Sequence, residues 1–233
     1  METALLEAVR SGDRQALSRA ISQVEQGAEP GDGLLEHQGV IGITGPPGAG
    51  KSTLISELIR VMRGRGETVG VLAVDPSSPI TGGAILGDRI RMQGHIDDSG
   101  VYVRSMATRG HLGGLAKAAA SSVRLMGHAG FDRLIVETVG VGQSEVEIME
   151  VADIVVLVVG PAWGDQVQAD KAGIVEIADL YVVNKGDRPG HSEVASALRE
   201  VADAKHARVL VTTATSGDGV NEVLLEIDRL KPA

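Results

Sequence analysis

GPPGAGKS, Gly45–Ser52, decides how the rest of the chain is read. It fits G-x-x-x-x-G-K-[ST] in the context that spacing requires, with an apolar run (Val40–Thr44) before it and a helical pattern (Lys51–Arg63) after it. Glycines let backbone N–H groups turn inward around phosphate oxygens, and the following helix offers its positive end to the same charge. Gly45, Pro47, Gly48, Ala49, Gly50, Lys51, Ser52 and Thr53 are therefore the expected phosphate contacts. Lys51 is expected to reach the β- and γ-phosphates and Ser52 to ligate Mg²⁺. The bland alternative is a glycine-rich turn that happens to fit.

Outward from this loop the chain alternates apolar runs with helical patterns. The strand candidates are 40–44, 68–74, 101–105, 133–137, 154–159, 180–183 and 208–212. Helical candidates lie at 51–63, 114–126, 192–204 and 220–230. Such alternation predicts an α/β fold, a three-layer, doubly wound and mostly parallel sheet. Residues 1–28 read as a helical segment of two short helices, with an N-cap at Ser11 or Asp13. Residues 29–39, with Pro30, Gly31 and Gly33, read as a linker, and 40–233 as the nucleotide-binding domain.

Leu180–Val183 runs into Asn184-Lys185-Gly186-Asp187, an N-K-x-D motif. A carboxylate at Asp187 can accept from both guanine N1–H and N2–H₂, a donor pair that adenine lacks. Asn184 is then expected near N7/O6, with the Lys185 stem over the base. Alone, four residues could be a plain turn, but after a phosphate loop and at a strand end they favour GTP over ATP. Thr213-Ala214-Thr215 follows the last strand, where a backbone N–H can meet guanine O6.

Three acids follow strands or turns on the phosphate side: Asp75, Asp88 and Glu137. Mg²⁺ takes oxygen ligands and keeps several waters, so one or two direct carboxylates suffice. Asp75 beside Pro76 also reads as a turn former, and Asp88 as the N-cap of a helix over 88–93. Pro and Gly at both ends of 76–87 suggest a switch loop with stiff anchors. Glu137 opens ETVGVGQSE, where Gly140 is expected to sense the γ-phosphate. Val141 follows it in place of a Ras-like glutamine, and the nearest glutamine is Gln143.

GPPGAGKS, VDPSSP, GGAILGDRIRM, ATRGHLGGLA, VETVGVGQSE and VVNKGD together resemble the MeaB/ArgK-type GTPases associated with methylmalonyl-CoA mutase. The resemblance spans about residues 3–230. It implies GTP hydrolysis, with GTP/GDP and Mg²⁺ as cofactors, coupled to loading, protection and repair of cobalamin in an adenosylcobalamin-dependent acyl-CoA mutase. Lys51, Asp88 and Glu137 would carry the hydrolytic site, and Ser52, Asp75, Asp88 and Glu137 the metal. The segment 160–171 corresponds to a third switch loop facing the partner, and a nucleotide-dependent homodimer through the switch loops is a second implied association. Trp163 in that loop reads as an interface anchor or as a side chain packed back on the domain. Lys171 reads as a reach across a dimer or as a surface lysine. Arg104 and Arg109 read as signal carriers or as structural ion pairs. Family members commonly continue into a C-terminal helical arm, whereas this sequence stops at Ala233, so an arm-mediated dimer is not expected.

Composition narrows the remaining choices. A net charge of −9 argues against a nucleic-acid partner. No apolar run approaches the ~18 residues of a membrane span, and the N-terminus lacks signal-peptide character, so a cytoplasmic location is the expectation. Nickel-inserting GTPases share the architecture but depend on Cys/His sites. This chain has no cysteine and scattered histidines at His37, His95, His111, His128, His191 and His206. A P-loop small-molecule kinase is disfavoured by N-K-x-D and by the absence of an acceptor lid. A partitioning ATPase would want a second lysine where Pro46 stands.

Overall fold

The computed structural model describes the chain except residues 32, 36, 77–92, 96, 109–111, 139–148, 164–173 and 232–233. Asp88, Arg109, Gly140, Gln143 and Lys171 lie outside the described residues. Of Asp75 only the backbone is described.

Seven strands form one sheet in the order β3-β2-β4-β1-β5-β6-β7. They are β1 (Ile41–Thr44), β2 (Val69–Pro76), β3 (Val101–Thr108), β4 (Arg133–Thr138), β5 (Ile154–Val159), β6 (Leu180–Val183) and β7 (Arg208–Val211). Every neighbouring pair is parallel, so the sheet is parallel throughout and not merely mostly so. β1, β4, β5 and β6 are buried at every position, as strands covered by helices on both faces must be.

The side-chain alternation of each strand divides the core in two. Ile41, Ile43, Ile135, Val156 and Val182 pack with Leu54, Leu58, Val223 and Ile227 from α3 (Lys51–Gly64) and the C-terminal helix, Val220–Leu230. Leu134, Val136, Val155, Leu157 and Val183 pack on the opposite face. There they meet α1 (Thr3–Arg10), α2 (Arg14–Glu25), α4 (Leu112–His128) and the helix His191–Lys205. A short helix, Ile174–Ile177, leads into β6.

Asp13 is the N-cap of α2, accepting from the N–H groups of Gln15 and Ala16. From α2, Arg14 donates to Val101 O at 2.9 Å and also bonds Ser99 O. Ser18 and Tyr102 hydroxyls meet at 3.0 Å. The N-terminal helices are thus tied to the β3 edge of the sheet, and no helix or strand occupies the described residues between α2 and β1.

Candidate functional site: a nucleotide cradle

β1 is central, flanked by β4 and β5; after it the chain places β2, β3 and β4 on one side and then β5, β6 and β7 on the other. In such sheets the crevice at the strands' C-terminal ends is where ligands bind. Gly45 leaves β1 at φ +142°, so close to β5 that a Cβ would stand 1.9 Å from the Val158 carbonyl oxygen. Gly50 closes the loop as the left-handed N-cap of α3. A Cβ there would come within 2.3 Å of the Asn184 amide nitrogen. Only glycine permits these two approaches.

Lys51 and Ser52 form the first turn of α3 and are nearly buried. The Lys51 ammonium arches over the loop, donating to Gly45 O at 2.8 Å and Pro46 O at 3.2 Å. Ser52 Oγ donates to Glu137 Oε1 at 2.9 Å. That meeting follows from strand periodicity. Ile135 lies on the face that α3 covers, so Glu137, two residues on, is on the same face. Thr138 lies on the other face and donates to Thr44 Oγ1 at 3.0 Å, pinning the ends of β4 and β1 together. On β2, Ala73 is in register with Glu137, and the Asp75 backbone stands two residues farther along.

At the far end of the crevice Asn184 is only 2% exposed. Its amide nitrogen donates to Ala49 O at 3.0 Å, while its amide oxygen accepts from Thr212 Oγ1 and Ala214 N, each at 3.1 Å. The side chain expected near the base is therefore engaged with protein, binding phosphate loop, N-K-x-D loop and post-β7 loop into one unit. Lys185, at φ +63°, extends its ammonium to Gly48 O. Gly186 N–H reaches Thr212 O at 2.9 Å. Asp187 is exposed at the mouth. Thr213 N–H is taken by Asp218 O.

Two readings left open in the sequence are decided. Trp163 is 2% exposed, at the end of a 3₁₀ turn (Pro161–Trp163), and packs back on the domain. Arg104 makes a structural ion pair with Glu25 at 2.7 Å and a hydrogen bond to Ser22 Oγ at 3.0 Å. The Thr44–Thr138 contact had no sequence signal beyond two threonines at strand ends.

A phosphate loop leaving the central strand of a parallel sheet, with N-K-x-D leaving β6, defines a P-loop GTPase. The chain matches the family described as methylmalonyl Co-A mutase-associated GTPase MeaB over residues 17–232, and it belongs to that family. A putative GTPase of Pyrococcus horikoshii is 46% identical over 243 residues, covering 97% of this chain and 77% of that protein. The mouse protein named methylmalonic aciduria type A homolog, mitochondrial, is 40% identical over 193 residues, covering 78% of this chain and 46% of its own length. A crystal structure titled LAO/AO transport system kinase superposes with a TM-score of 0.72 at 27% identity, covering 99% of this chain and 76% of that one.

Proposed function

We propose that this GTPase serves an adenosylcobalamin-dependent acyl-CoA mutase, gating the loading, protection and removal of its cobalamin cofactor. The family description that names a methylmalonyl-CoA mutase supports that partner, as does the name of the mouse relative. The observation that carries the nucleotide chemistry is the Ser52–Glu137 contact. Two hard oxygen donors beside a phosphate loop fit a hard divalent cation such as Mg²⁺. Ser52 and Glu137, with Asp75 and Asp88, would hold that ion, which when bound neutralises charge on the β- and γ-phosphates.

In this reading the Lys51 ammonium exchanges the loop carbonyls for phosphate oxygens. Gly45 to Thr53 wrap the phosphates, and Gly140 reports the γ-phosphate. Asp187 reads guanine N1–H and N2–H₂, and the Lys185 stem covers the base. Asn184 acts by holding the three loops in place. With Thr213 and Ala214 N–H groups engaged internally, the guanine O6 contact falls to Thr215. The absence of glutamine after Gly140 implies slow intrinsic turnover that the partner accelerates.

The test is GTP turnover by the purified chain with and without a methylmalonyl-CoA mutase, alongside retention of the mutase on the GTP-analogue-loaded protein. Turnover that is slow alone and rises at least tenfold with the mutase supports the proposal. Fast turnover indifferent to the mutase overturns it.

A further inference from the structure

Thr44 and Thr138 are the last residues of the neighbouring strands β1 and β4. The final ladder pair between these strands is Ile43 with Glu137, and the two threonines stand one residue beyond it. Where the backbone pairing ends a side-chain bond takes over, Thr138 Oγ1 donating to Thr44 Oγ1 at 3.0 Å. Both residues are almost wholly buried.

The row they occupy crosses four strands. Val74 on β2 is in register with Thr138, and Leu157 on β5 with Thr44, all on the face away from α3. Valine has nearly the shape of threonine, so aliphatic side chains would fill this row equally well, and the hydroxyl is what differs. A pair of hydroxyls adds a directional bond of defined length.

Each threonine roots one side of the site. Thr44 leads through Gly45–Gly50 into α3, whose first turn carries Ser52. Thr138 directly follows Glu137. The 2.9 Å approach of Ser52 Oγ to Glu137 Oε1 is therefore anchored on both sides by one bond on the opposite face of the sheet.

We propose that Thr138 is a positioning residue for GTP hydrolysis. Through Thr44 it ties the root of the phosphate loop to the end of β4, and so limits how far the Ser52 and Glu137 oxygens can separate around a cation. The proposal rests on the assignment of Mg²⁺ to those two residues, and it is independent of which protein the GTPase serves.

The test compares Thr138→Val and Thr138→Ala, which lack the hydroxyl, with Thr138→Ser, which keeps it. Glu137→Gln is the reference for the cation. The probe is guanosine 5′-(β,γ-imido)triphosphate, titrated by calorimetry with and without Mg²⁺. Thr138→Val and Thr138→Ala are expected to weaken binding about fivefold with Mg²⁺, the worth of one hydrogen bond, and less than about twofold without it. The Mg²⁺ concentration for half-maximal GTP turnover should rise by a similar factor, with KM for GTP at saturating Mg²⁺ unchanged. Thr138→Ser should behave as the wild type. Thr138→Ser as weak as Thr138→Val would put the effect in the methyl group, and equal losses with and without Mg²⁺ would put it in the loop as a whole. Either result overturns the proposal, as does wild-type behaviour of Thr138→Val and Thr138→Ala. Loss of Mg²⁺-dependent binding in Glu137→Gln alone would remove only the role of Thr138. Glu137→Gln that leaves such binding unchanged would remove the cation assignment and this proposal with it.

Discussion

Ser52 Oγ and Glu137 Oε1 stand 2.9 Å apart across the gap between the first turn of α3 and the end of β4, both side chains nearly buried. Glu137→Gln keeps the shape and an oxygen but removes the charge. GTP turnover is expected to fall about 10²-fold, as when a preorganised electrostatic group is removed from an active site. GDP affinity measured without Mg²⁺ should change less than twofold. Equal losses with and without Mg²⁺, by calorimetry, would contradict the metal assignment.

Asn184 and Asp187 are three residues apart and should fail in different ways. Asn184→Ala strips the partners from buried groups on two other loops, at a cost of about 2–4 kcal/mol. The melting temperature of the nucleotide-free chain should drop accordingly. Asp187 is exposed, so Asp187→Asn should leave that temperature unchanged while weakening GTP and improving xanthosine triphosphate binding. Unchanged GTP affinity would remove Asp187 from base recognition.

The two glycines at 45 and 48 both have positive φ, but their surroundings differ. A Cβ at Gly45 would meet the Val158 backbone oxygen at 1.9 Å, whereas one at Gly48 meets nothing within 4 Å. Gly48→Ala should cost about 1–2 kcal/mol for the backbone conformation alone. Gly45→Ala should cost more than about 3 kcal/mol, since β5 backbone cannot give way as a side chain could. Urea denaturation of the two variants tests the order.

Arg63 grips Asp98 with two bonds, Nε to Oδ2 at 2.8 Å and Nη2 to Oδ1 at 2.9 Å, and Gly100 N–H adds a third. The guanidinium, more than the Gly100 amide, holds the Asp98 carboxyl down at about 2. A carboxyl depressed by folding contributes stability above its ordinary pKa and loses it as pH falls through the folded value. The contribution should therefore fade between about pH 4 and pH 2. Asp98→Asn should lower the urea midpoint at pH 7, and the gap from wild type should close toward pH 2. A gap that stays constant over that window would mean the pair is not the source.

The sheet was legible because buried parallel strands are written as Val/Ile/Leu runs too short for helices. Ile154–Val159 and Leu180–Val183 match to the residue. β2 and β3 run longer than their apolar cores, to Pro76 and Thr108, because they pair with each other beyond the hydrophobic stretch. Glu137 could be named from its position after Leu134–Val136, but its bond to Ser52 needs α3 on the same face, which is a property of the packing. Asn184 is legible as a base contact from its motif, whereas its bonds to Ala49 and Ala214, far away along the chain, need the fold. The sequence leaves the fate of Trp163 open because a three-residue 3₁₀ turn has no period to read.

The two margins of the sheet are unequal. β3 has α2 bound to it through Arg14, Ser18 and Arg104, whereas β7 carries Val211 37% exposed and pairs on one side only. An unguarded strand edge is a template for pairing with another chain. One free edge lets two molecules meet and then stops, but two free edges let them polymerise. Arg14 takes the Val101 carbonyl at the start of β3, so the N-terminal helices guard one end of that margin.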